Sequence, residues 1–382
     1  MAKPMVGVLL NGRLYRGIPR GKTAHEALLL YVAAAEAHGV VPCFVKLGHL
    51  RPGAKTTTAY VWEGERFVKK RVPMPKVVHN RAIYKKRKLN DKLKRLAAAG
   101  VHIYNGINRH GKVRIHRLLM EDPSLRIHLP ETLEATPINI RDMMKRHGEL
   151  ILKPNSGSVG LGVMMLKKSG GAWVLETAAA DGNVRTEPVD LSRPLPRRLR
   201  ERIYARRYLV QQRLPLATWD GRPFDIRVSV QRGQGGDWQI TGMVGKVAAE
   251  RSYVTNVARG GTVMPVERLL ARFPALDPDE VRHGIAQFSL RVARRLSQSL
   301  PRLADIGLDV GITEAGFPMF IECNGRDLRY SLLRGGLVRE WIDAYGNPMA
   351  YGAYLLEKRR AERRRAGPNG AAPGPAGDRA GR

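Results

Sequence analysis

The segment over residues 150–163 constrains the fold of this chain more than any other. It places two apolar runs around a loop that contains three glycines and two serines, with Lys153 at the end of the first run. Glycine lets backbone N–H groups approach an anion closely, while hydroxyl groups add donors and a lysine adds a point charge. The segment predicts two strands joined by a phosphate-binding loop, although a plain glycine-rich hairpin has the same pattern.

A second group of polar residues lies on two predicted strands further along the chain. Asp309 falls on the first strand, and Glu322 and Asn324 lie two residues apart on the second, so these two share a face. Hard oxygen donors from neighbouring strands suit Mg²⁺, and an unpaired carboxylate inside a sheet is costly. The pattern favours a magnesium site over an exposed hairpin face.

Two strands between these segments carry cations. Residues 224–230 alternate strictly and place Asp225 and Arg227 on one face, and Lys246 falls on a later strand. A surface ion pair would account for Asp225 and Arg227. Cations directed at a transferring phosphoryl group account better for Arg227 and Lys246 together, given the loop and the acidic residues.

The rest of the pattern predicts a mixed α/β architecture. Strands are expected over residues 6–10, 40–46 and 76–79, with a hairpin formed by residues 57–61 and 66–72. Helices are expected over residues 24–37, over the basic segments 81–95 and 193–207, and after Asp277. Asp277 is followed by a proline and, at the third position, by a glutamate, which is typical of a helix N-terminus.

Composition limits the compartment and the partners. The chain has 382 residues and a formal net charge of +32, which favours anionic partners such as nucleotides, nucleic acid or an acidic peptide. The low aromatic content of 6%, without a recognisable nucleic-acid module, argues against a specific nucleic-acid partner. No apolar run approaches the ~20 residues of a membrane span. The two distant cysteines predict neither a disulfide framework nor a zinc site, so a reducing cytosol is expected.

In their order and spacing, these motifs resemble the ATP-grasp superfamily, and specifically the YheC/YheD-type proteins associated with the endospore coat of Gram-positive spore formers. The resemblance runs over residues 6–357 and is carried by 128–132, 152–162, 224–227, Lys246 with 255–261, and Asp309 with 322–324. It implies an α/β chain of the α+β ATP-grasp type, in which an N-terminal pre-ATP-grasp α/β domain (1–105) precedes a two-lobed ATP-grasp domain (106–358). The central lobe is expected over residues 130–210, the C-terminal lobe over 211–358, and a disordered basic tail over 359–382.

The resemblance also implies roles for individual residues. Those implied to bind ATP are Lys112, Lys153, the loop residues Ser156, Gly157, Ser158, Gly160 and Gly162, and the adenine hinge Gln211, Gln212, Arg213 and Leu214. Asp309, Glu322 and Asn324 are implied to hold one or two Mg²⁺ ions, with Mn²⁺ as a substitute. The residues implied to act on the reacting groups are Arg227, Lys246, Asn256 and Arg259. Glutamines stand where many ATP-grasp hinges have an acidic residue.

The activity implied is ATP-dependent carboxylate ligation, in which a carboxylate becomes an acyl phosphate and an amine displaces the phosphate. Two other functions remain open. One is a non-catalytic ATP-binding structural protein of the spore coat, and the other is a basic protein that binds anions or nucleic acid. The expected location is the cytoplasm, with association with the endospore coat implied by the resemblance, and an acidic peptide is a further candidate partner.

Overall fold

The computed structural model describes residues 3–157, 160–178, 184–249, 260–300 and 302–365. Three of the candidate site residues, Ser158, Asn256 and Arg259, lie outside these ranges. Within them the chain forms three sheets of six strands each. No helix of these ranges is both long enough and apolar enough to cross a membrane.

The first sheet belongs to the N-terminal part of the chain. Its elements are β1 Met5–Leu10, α1 Gly12–Gly17, α2 Leu28–Ala37, β2 Val41–Lys46, β3 Thr56–Glu63, β4 Arg66–Pro73, β5 Val77–Asn80, α3 Arg87–Ala98 and β6 His102–Tyr104, with a single 3-10 turn, Ile18–Arg20, after α1. The strands lie in the order β4-β3-β2-β1-β5-β6. Strands β1, β2, β5 and β6 are parallel, and the antiparallel β3–β4 hairpin forms one edge. The predicted strands and hairpin are confirmed.

The second sheet contains the predicted phosphate-binding segment. Its elements are α4 Lys112–Met120, α5 Pro123–Arg126, β7 Thr132–Glu134, α6 Pro137–Arg146, β8 Glu149–Pro154, β9 Met164–Ser169, β10 Ala172–Ala178, β11 Val184–Val189, α7 Arg197–Ala205 and β12 Tyr208–Gln212. All strand pairs are antiparallel, in the order β11-β10-β9-β8-β12-β7. Strand β8 is the first predicted apolar run, whereas β9 begins at Met164, just after the predicted segment of residues 150–163 ends, and Leu152 lies opposite Met164.

The third sheet contains the other predicted motifs. Its elements are β13 Thr218–Trp219, β14 Arg222–Arg232, β15 Trp238–Val247, β16 Thr262–Pro265, α8 Val266–Leu270, α9 Pro278–Ser299, β17 Asp305–Ile312, β18 Pro318–Asn324, α10 Tyr330–Arg334 and α11 Val338–Arg365. The order is β16-β15-β14-β17-β18, and β13 pairs with β14. Helix α9 covers the sheet with an apolar face, and the Asp277 side chain accepts from the N–H groups of Asp279 at 2.8 Å and Glu280 at 3.2 Å, as predicted.

Three predicted helices begin later than expected. Helix α2 starts at Leu28 rather than residue 24, because Ala24 has a φ of 52°, outside the helical region. Helix α3 starts at Arg87, and Arg81 is buried among carboxylates instead of belonging to a solvated cationic face. Helix α7 starts at Arg197 because prolines occupy two of the preceding positions.

The last helix returns to the first sheet. Tyr345 and Met349 of α11 share a buried core with Val6, and the Tyr104 hydroxyl donates to the Pro348 carbonyl at 2.7 Å. Helix α11 ends at Arg365, whereas the sequence predicts a disordered tail from residue 359. The residues in between are arginine, alanine and glutamate, which favour a helix, and the glycine- and proline-rich sequence begins after them.

Candidate functional site

A cleft of about 520 Å³ lies between the second and third sheets. The side chains that line it include Lys153 at the end of β8, Arg227 of β14, Lys246 of β15, Asp309 of β17 and Glu322 of β18. A smaller cavity of about 120 Å³, which Lys112 lines, shares Lys153 and Glu322 with the cleft. The structure therefore brings the predicted phosphate-binding lysine and the predicted metal ligands to one opening.

The register of the third sheet aligns the charged residues into a row. Lys246 lies opposite Asp225, Arg227 lies opposite Asp309, and Asp309 lies opposite Glu322. Residues opposite each other on antiparallel strands have adjacent side chains on the same face. One face of the four strands β15, β14, β17 and β18 thus carries two cations and three acids, which we call the cleft row: Lys246, Arg227, Asp225, Asp309 and Glu322.

Asp309 is the centre of the cleft row. Arg227 donates through Nε to Oδ1 at 2.8 Å and through Nη2 to Oδ2 at 3.1 Å, and Lys246 Nζ lies 2.8 Å from Oδ1. Burial by itself would raise the pKa of Asp309, but the charges of Arg227 and Lys246 hold it well below its ordinary value. The side chain is therefore a carboxylate at neutral pH, the form that a metal ion requires.

Both cations of the cleft row have a second acidic partner. Lys246 Nζ lies 2.6 Å from Asp225 Oδ1, and Arg227 Nη1 donates to Asp327 Oδ1 at 3.0 Å. Asp327 is fully buried, and its other oxygen accepts from the Ser229 hydroxyl. Sequence reasoning missed Asp327, although its position three residues after Asn324 was a usable signal.

Lys153 has a different environment. Its Nζ donates to the Ile321 carbonyl at 3.4 Å, and it forms no ion pair with any residue that the structure describes. Burial and the nearby Lys112 lower the pKa of Lys153 to about 8, against the opposing effect of Glu322 and Asp309. Lys112 is itself paired with Glu322. An anion bound beside Lys153 would remove the cost of this uncompensated charge.

The glycine-rich loop approaches the same place. The Tyr208 hydroxyl donates to the Gly162 carbonyl at 3.0 Å, and a Cβ at Gly162 would lie 2.8 Å from that hydroxyl oxygen at a φ of 79°. A larger residue at Gly162 would therefore be strained. Ser156 and Gly157 line the smaller cavity, and Gly160 lines the cleft.

The predicted adenine hinge follows β12 at the edge of the cleft. The Gln211 side chain donates to Thr132 Oγ1 at 2.7 Å, and the Gln212 carboxamide oxygen accepts from the Glu131 N–H at 3.3 Å. The backbone N–H groups of Gln212 and Arg213 are already bonded within the sheet. No hydrogen bond between described residues uses the Leu214 N–H, so this donor is available to a ligand.

The three predicted metal ligands fit Mg²⁺ in their chemistry. Asp309 and Glu322 lie opposite each other, and Asn324 Nδ2 lies 3.3 Å from Asp309 Oδ2. Within the described ranges, no group of three or more His, Cys, Asp or Glu side chains is placed to hold a metal by itself. Two carboxylates and one amide oxygen match Mg²⁺, which usually keeps water and phosphate as its other ligands.

A second charged cluster lies where the first sheet meets the third, and sequence reasoning did not predict it. We call it the junction cluster: Glu26, Arg81, Asp305 and Arg329. Arg81 Nη2 lies 2.8 Å from Glu26 Oε1, and Arg329 Nη2 lies 2.8 Å from Asp305 Oδ2. Every member is at most 6% exposed. Two cations face two acids there, so the junction cluster neutralises itself.

His79 lies beside the junction cluster, with Nε2 3.2 Å from Asp305 Oδ2. Burial lowers the pKa of His79 to about 4, although Asp305 acts in the opposite direction. The imidazole is therefore neutral at physiological pH, and it adds no charge to the balanced cluster.

The three-sheet α/β architecture and the cleft between its second and third sheets define an ATP-grasp fold. A model of the YheC/D like ATP-grasp family matches residues 100–355, which is more than half of the chain. The chain belongs to this family, as the resemblance implied.

Two relatives carry endospore-coat names. The endospore coat-associated protein YheD of Bacillus subtilis (strain 168) is 27% identical over 300 residues, which are 76% of this chain and 65% of YheD. YheC of the same organism is 20% identical over 208 residues, which are 54% of this chain and 57% of YheC. The matches thus span less than two thirds of either relative.

Solved structures with the same fold are less similar in sequence. The ATP-grasp ligase PsnB, complexed with a phosphomimetic variant of its minimal precursor, Mg and ADP, has a TM-score of 0.52 at 16% identity, covering 91% of this chain and 100% of PsnB. D-cycloserine synthetase DcsG has a TM-score of 0.51 at 11% identity, covering 90% of this chain and 99% of DcsG. At such identities these likenesses show the fold alone.

Proposed function

We propose that this chain is an ATP-dependent carboxylate ligase of the carboxylate–amine type. The observation that supports this most is Lys153, a half-buried cation that forms no ion pair with a described residue, at the mouth of a glycine-rich loop and in the same cleft as the cleft row. Membership of the ATP-grasp family is the reason why we propose ATP as the nucleotide and ligation as the reaction. Residues 1–105 are proposed as the pre-ATP-grasp domain and residues 106–358 as the ATP-grasp domain, with its lobes meeting near residue 210.

ATP is proposed to lie along the cleft. Its phosphates would contact Lys153, Lys112 and the loop residues Ser156, Gly157, Ser158, Gly160 and Gly162, and its base would lie against residues 211–214. One or two Mg²⁺ ions, or Mn²⁺, would be held by Asp309, Glu322 and Asn324. When bound, the metal neutralises phosphate charge at the reacting end.

The reaction proposed joins a carboxylate to an amine. A carboxylate oxygen of the substrate attacks the γ-phosphorus, ADP leaves, and the amine then attacks the acyl carbon and expels inorganic phosphate. Arg227 and Lys246 are proposed to hold the charge at the transferring group, with Asn256 and Arg259 beside them. The loop would exclude water, because water would hydrolyse the acyl phosphate.

We propose that the protein acts in the cytoplasm or in association with the endospore coat. The endospore coat is proposed because the two Bacillus subtilis relatives are named for it. The partner in the reaction is an unidentified carboxylate, and an acidic peptide suits the net charge of +32. PsnB was solved with a precursor, which supports a peptide as one kind of substrate to test.

The experiment that tests the proposal uses hydroxylamine as a general amine acceptor. The full chain is mixed with Mg²⁺-ATP, a panel of carboxylic acids and short acidic peptides, and hydroxylamine, and both ADP and hydroxamate are measured. We expect at least one acid to give equal amounts of ADP and hydroxamate, with both lost in Arg227→Ala. Nucleotide binding without turnover across the panel would support the non-catalytic spore-coat protein instead.

A nucleic-acid function makes a different prediction. If the basic charge served only to attract polyanions, binding would be independent of Mg²⁺-ATP and would weaken steeply with salt. Mg²⁺-dependent nucleotide binding that persists in moderate salt would favour the cleft over that alternative.

A further inference from the structure

Arg326 lies in the turn after β18, between the two cavities, and it lines both of them. The turn also contains Asp327 and Arg329, which are buried and form ion pairs with Arg227 and Asp305, although the Nε atom of Arg329 has no hydrogen-bond partner among the described residues. Arg326 lines the cavities instead. Its Nη1 donates to the Arg81 carbonyl at 3.3 Å, and it has no ion pair with a described residue.

The unused donors of Arg326 are the feature to explain. A guanidinium group carries five N–H donors. The Nε atom of Arg326 is inaccessible to solvent and has no hydrogen-bond partner among the described residues. Buried donors without partners are costly in folded proteins, and the Nε atom of Arg329 in the same turn shares this state. Because a ligand cannot reach an inaccessible Nε, the terminal Nη groups of Arg326, at the wall of both cavities, are the ones that a ligand in the cleft can meet.

The charge balance around the cleft points to the same conclusion. Arg81 and Arg329 are neutralised by the carboxylates of the junction cluster, and Lys112 is neutralised by Glu322. Lys153, Arg326 and the exposed Arg109 are the lining cations that form no ion pair with a described residue. The phosphates of the nucleotide account for Lys153. Arg326, on which the more distant carboxylate of Glu26 acts, is then the half-buried cation that suits a second anion.

The turn that carries Arg326 is held rigidly. A Cβ at Gly325 would lie 2.6 Å from the Asn108 carbonyl oxygen, so the two backbones are in close contact there. Asn105 Nδ2 donates to the Gly325 carbonyl at 2.9 Å, and Asn108 Nδ2 donates to the Ala82 carbonyl at 2.9 Å. A guanidinium group fixed in this way loses little entropy when it binds a planar anion.

Flat side chains border the cleft near this turn. The rings of His25 and Tyr330 lie 4.6 Å apart with an angle of 31° between their planes, and the Arg334 guanidinium lies 5.3 Å from the Tyr330 centroid. His25, Tyr330 and Arg326 all line the cleft. Two flat rings thus line the same cleft as Arg326.

We propose that Arg326 binds a carboxylate of the organic substrate through the terminal Nη N–H groups that the Arg81 carbonyl does not use, so that the substrate has a reacting group near the cleft row and a second, anionic end at Arg326. This rests on the proposed function and narrows its substrate class to dicarboxylates, amino acids and peptides with a free carboxylate. We expect two parallel hydrogen bonds from the guanidinium group to the carboxylate, because the spacing of its N–H groups matches that of the two carboxylate oxygens.

The test uses glutarate as the probe and the uncharged glutaramide as its matched control. Both are titrated into the full chain in the presence of saturating Mg²⁺-ADP, by calorimetry. The variants are Arg326→Gln and Arg326→Lys, with Arg339→Gln as the control that removes the same charge from an exposed helix position. Binding of Mg²⁺-ADP and circular dichroism report on the fold of each variant.

We expect glutarate to bind the wild-type protein and Arg339→Gln equally, and to bind Arg326→Gln at least tenfold more weakly. The glutarate affinity of Arg326→Lys should lie between those of the wild type and Arg326→Gln. Glutaramide should bind to none of the four proteins. Equal glutarate affinity in Arg326→Gln and Arg339→Gln, or no glutarate binding to the wild type at tens of millimolar, would overturn the proposal. Failure of the wild type to bind Mg²⁺-ADP would instead contradict the proposed function itself.

Discussion

The junction cluster and the cleft row are both groups of buried charges, but they are balanced differently. In the junction cluster, Arg81 and Arg329 face Glu26 and Asp305, and no charge is left over. In the cleft row, Arg227 and Lys246 face three carboxylates within the described residues. Beside that row, Lys153 forms no ion pair with a described residue. The junction cluster is complete without a ligand, whereas the cleft contains this further cation.

This difference separates a structural role from a binding role. A balanced buried cluster holds two units together, since removing either partner leaves a buried charge uncompensated. An ammonium group without an ion pair, in an open cleft that carboxylates also line, matches a phosphate and the metal ion that accompanies it. The following changes test whether the two regions differ in this way.

The largest effect on stability is expected from Arg81→Met. It leaves Glu26 and Asp305 with less compensation, so the free energy of unfolding should fall by about 3–5 kcal/mol. Urea denaturation followed by circular dichroism measures the change. Arg87→Met is the matched control, because Arg87 forms only an exposed pair with Asp91, and its effect should stay within about 0.5 kcal/mol. Similar small losses in both variants would contradict a structural role for the junction cluster.

Nucleotide binding should become weaker at alkaline pH, because the free protein loses the charge of Lys153 there. Its pKa in the free protein is lowered to about 8, and a bound phosphate favours the charged form. Above pH 8 the protein must therefore take up a proton to bind, and the Mg²⁺-ADP affinity should fall by up to about tenfold per pH unit. Calorimetry between neutral and alkaline pH measures the slope. Lys153→Arg keeps its charge and should show no such fall, and an equal slope in both proteins would contradict the assignment.

The stability of the ligand-free protein should respond to Lys153→Met in the opposite direction to Arg81→Met. Removing a buried cation that has no acidic partner relieves a cost, so the free energy of unfolding should stay the same or rise by about 1 kcal/mol. The same urea titration measures it. A loss comparable to that of Arg81→Met would show that Lys153 is part of a balanced structural cluster, and the contrast between the two regions would fail.

The smallest effect on stability is expected from Arg213→Ala, which changes an exposed side chain of the proposed adenine hinge (residues 211–214). Arg213 Nη1 lies 2.8 Å from Glu149 Oε2, and both side chains are at least 40% exposed. Arg213→Ala should therefore cost roughly 0.2–1 kcal/mol of unfolding free energy. Because only the backbone of this segment is proposed to face adenine, the Mg²⁺-ADP affinity should not change. A large loss of affinity would mean that the Arg213 side chain contacts the nucleotide.

Sequence reasoning identified the residues of the cleft that belong to local patterns. Lys153 stands at the end of an apolar run, and Asp309, Glu322 and Arg227 lie on alternating strands, so their faces follow from a period of two. The register that places Asp309 between Arg227 and Glu322 could be expected once the strands were known to be neighbours.

The junction cluster could not be found in this way. Glu26, Arg81, Asp305 and Arg329 come from segments up to 303 positions apart, and none belongs to a local motif. The basic composition around Arg81 suggested an exposed helix, because the carboxylates that bury it are distant in sequence. The return of α11 to the first sheet is a tertiary contact of the same kind.

Nucleotide binding at Lys153 can be measured as the thermal shift produced by ADP, with and without Mg²⁺, in the wild type, Lys153→Ala and Lys94→Ala. Lys94 is an exposed lysine and controls for the loss of one charge. A ligand at about 100 times its Kd should add roughly 2.7 kcal/mol to stability. We expect a magnesium-dependent shift that Lys94→Ala keeps and Lys153→Ala loses. An undiminished shift in Lys153→Ala, or none in the wild type, would rule out Lys153 as the phosphate-binding residue of this cleft.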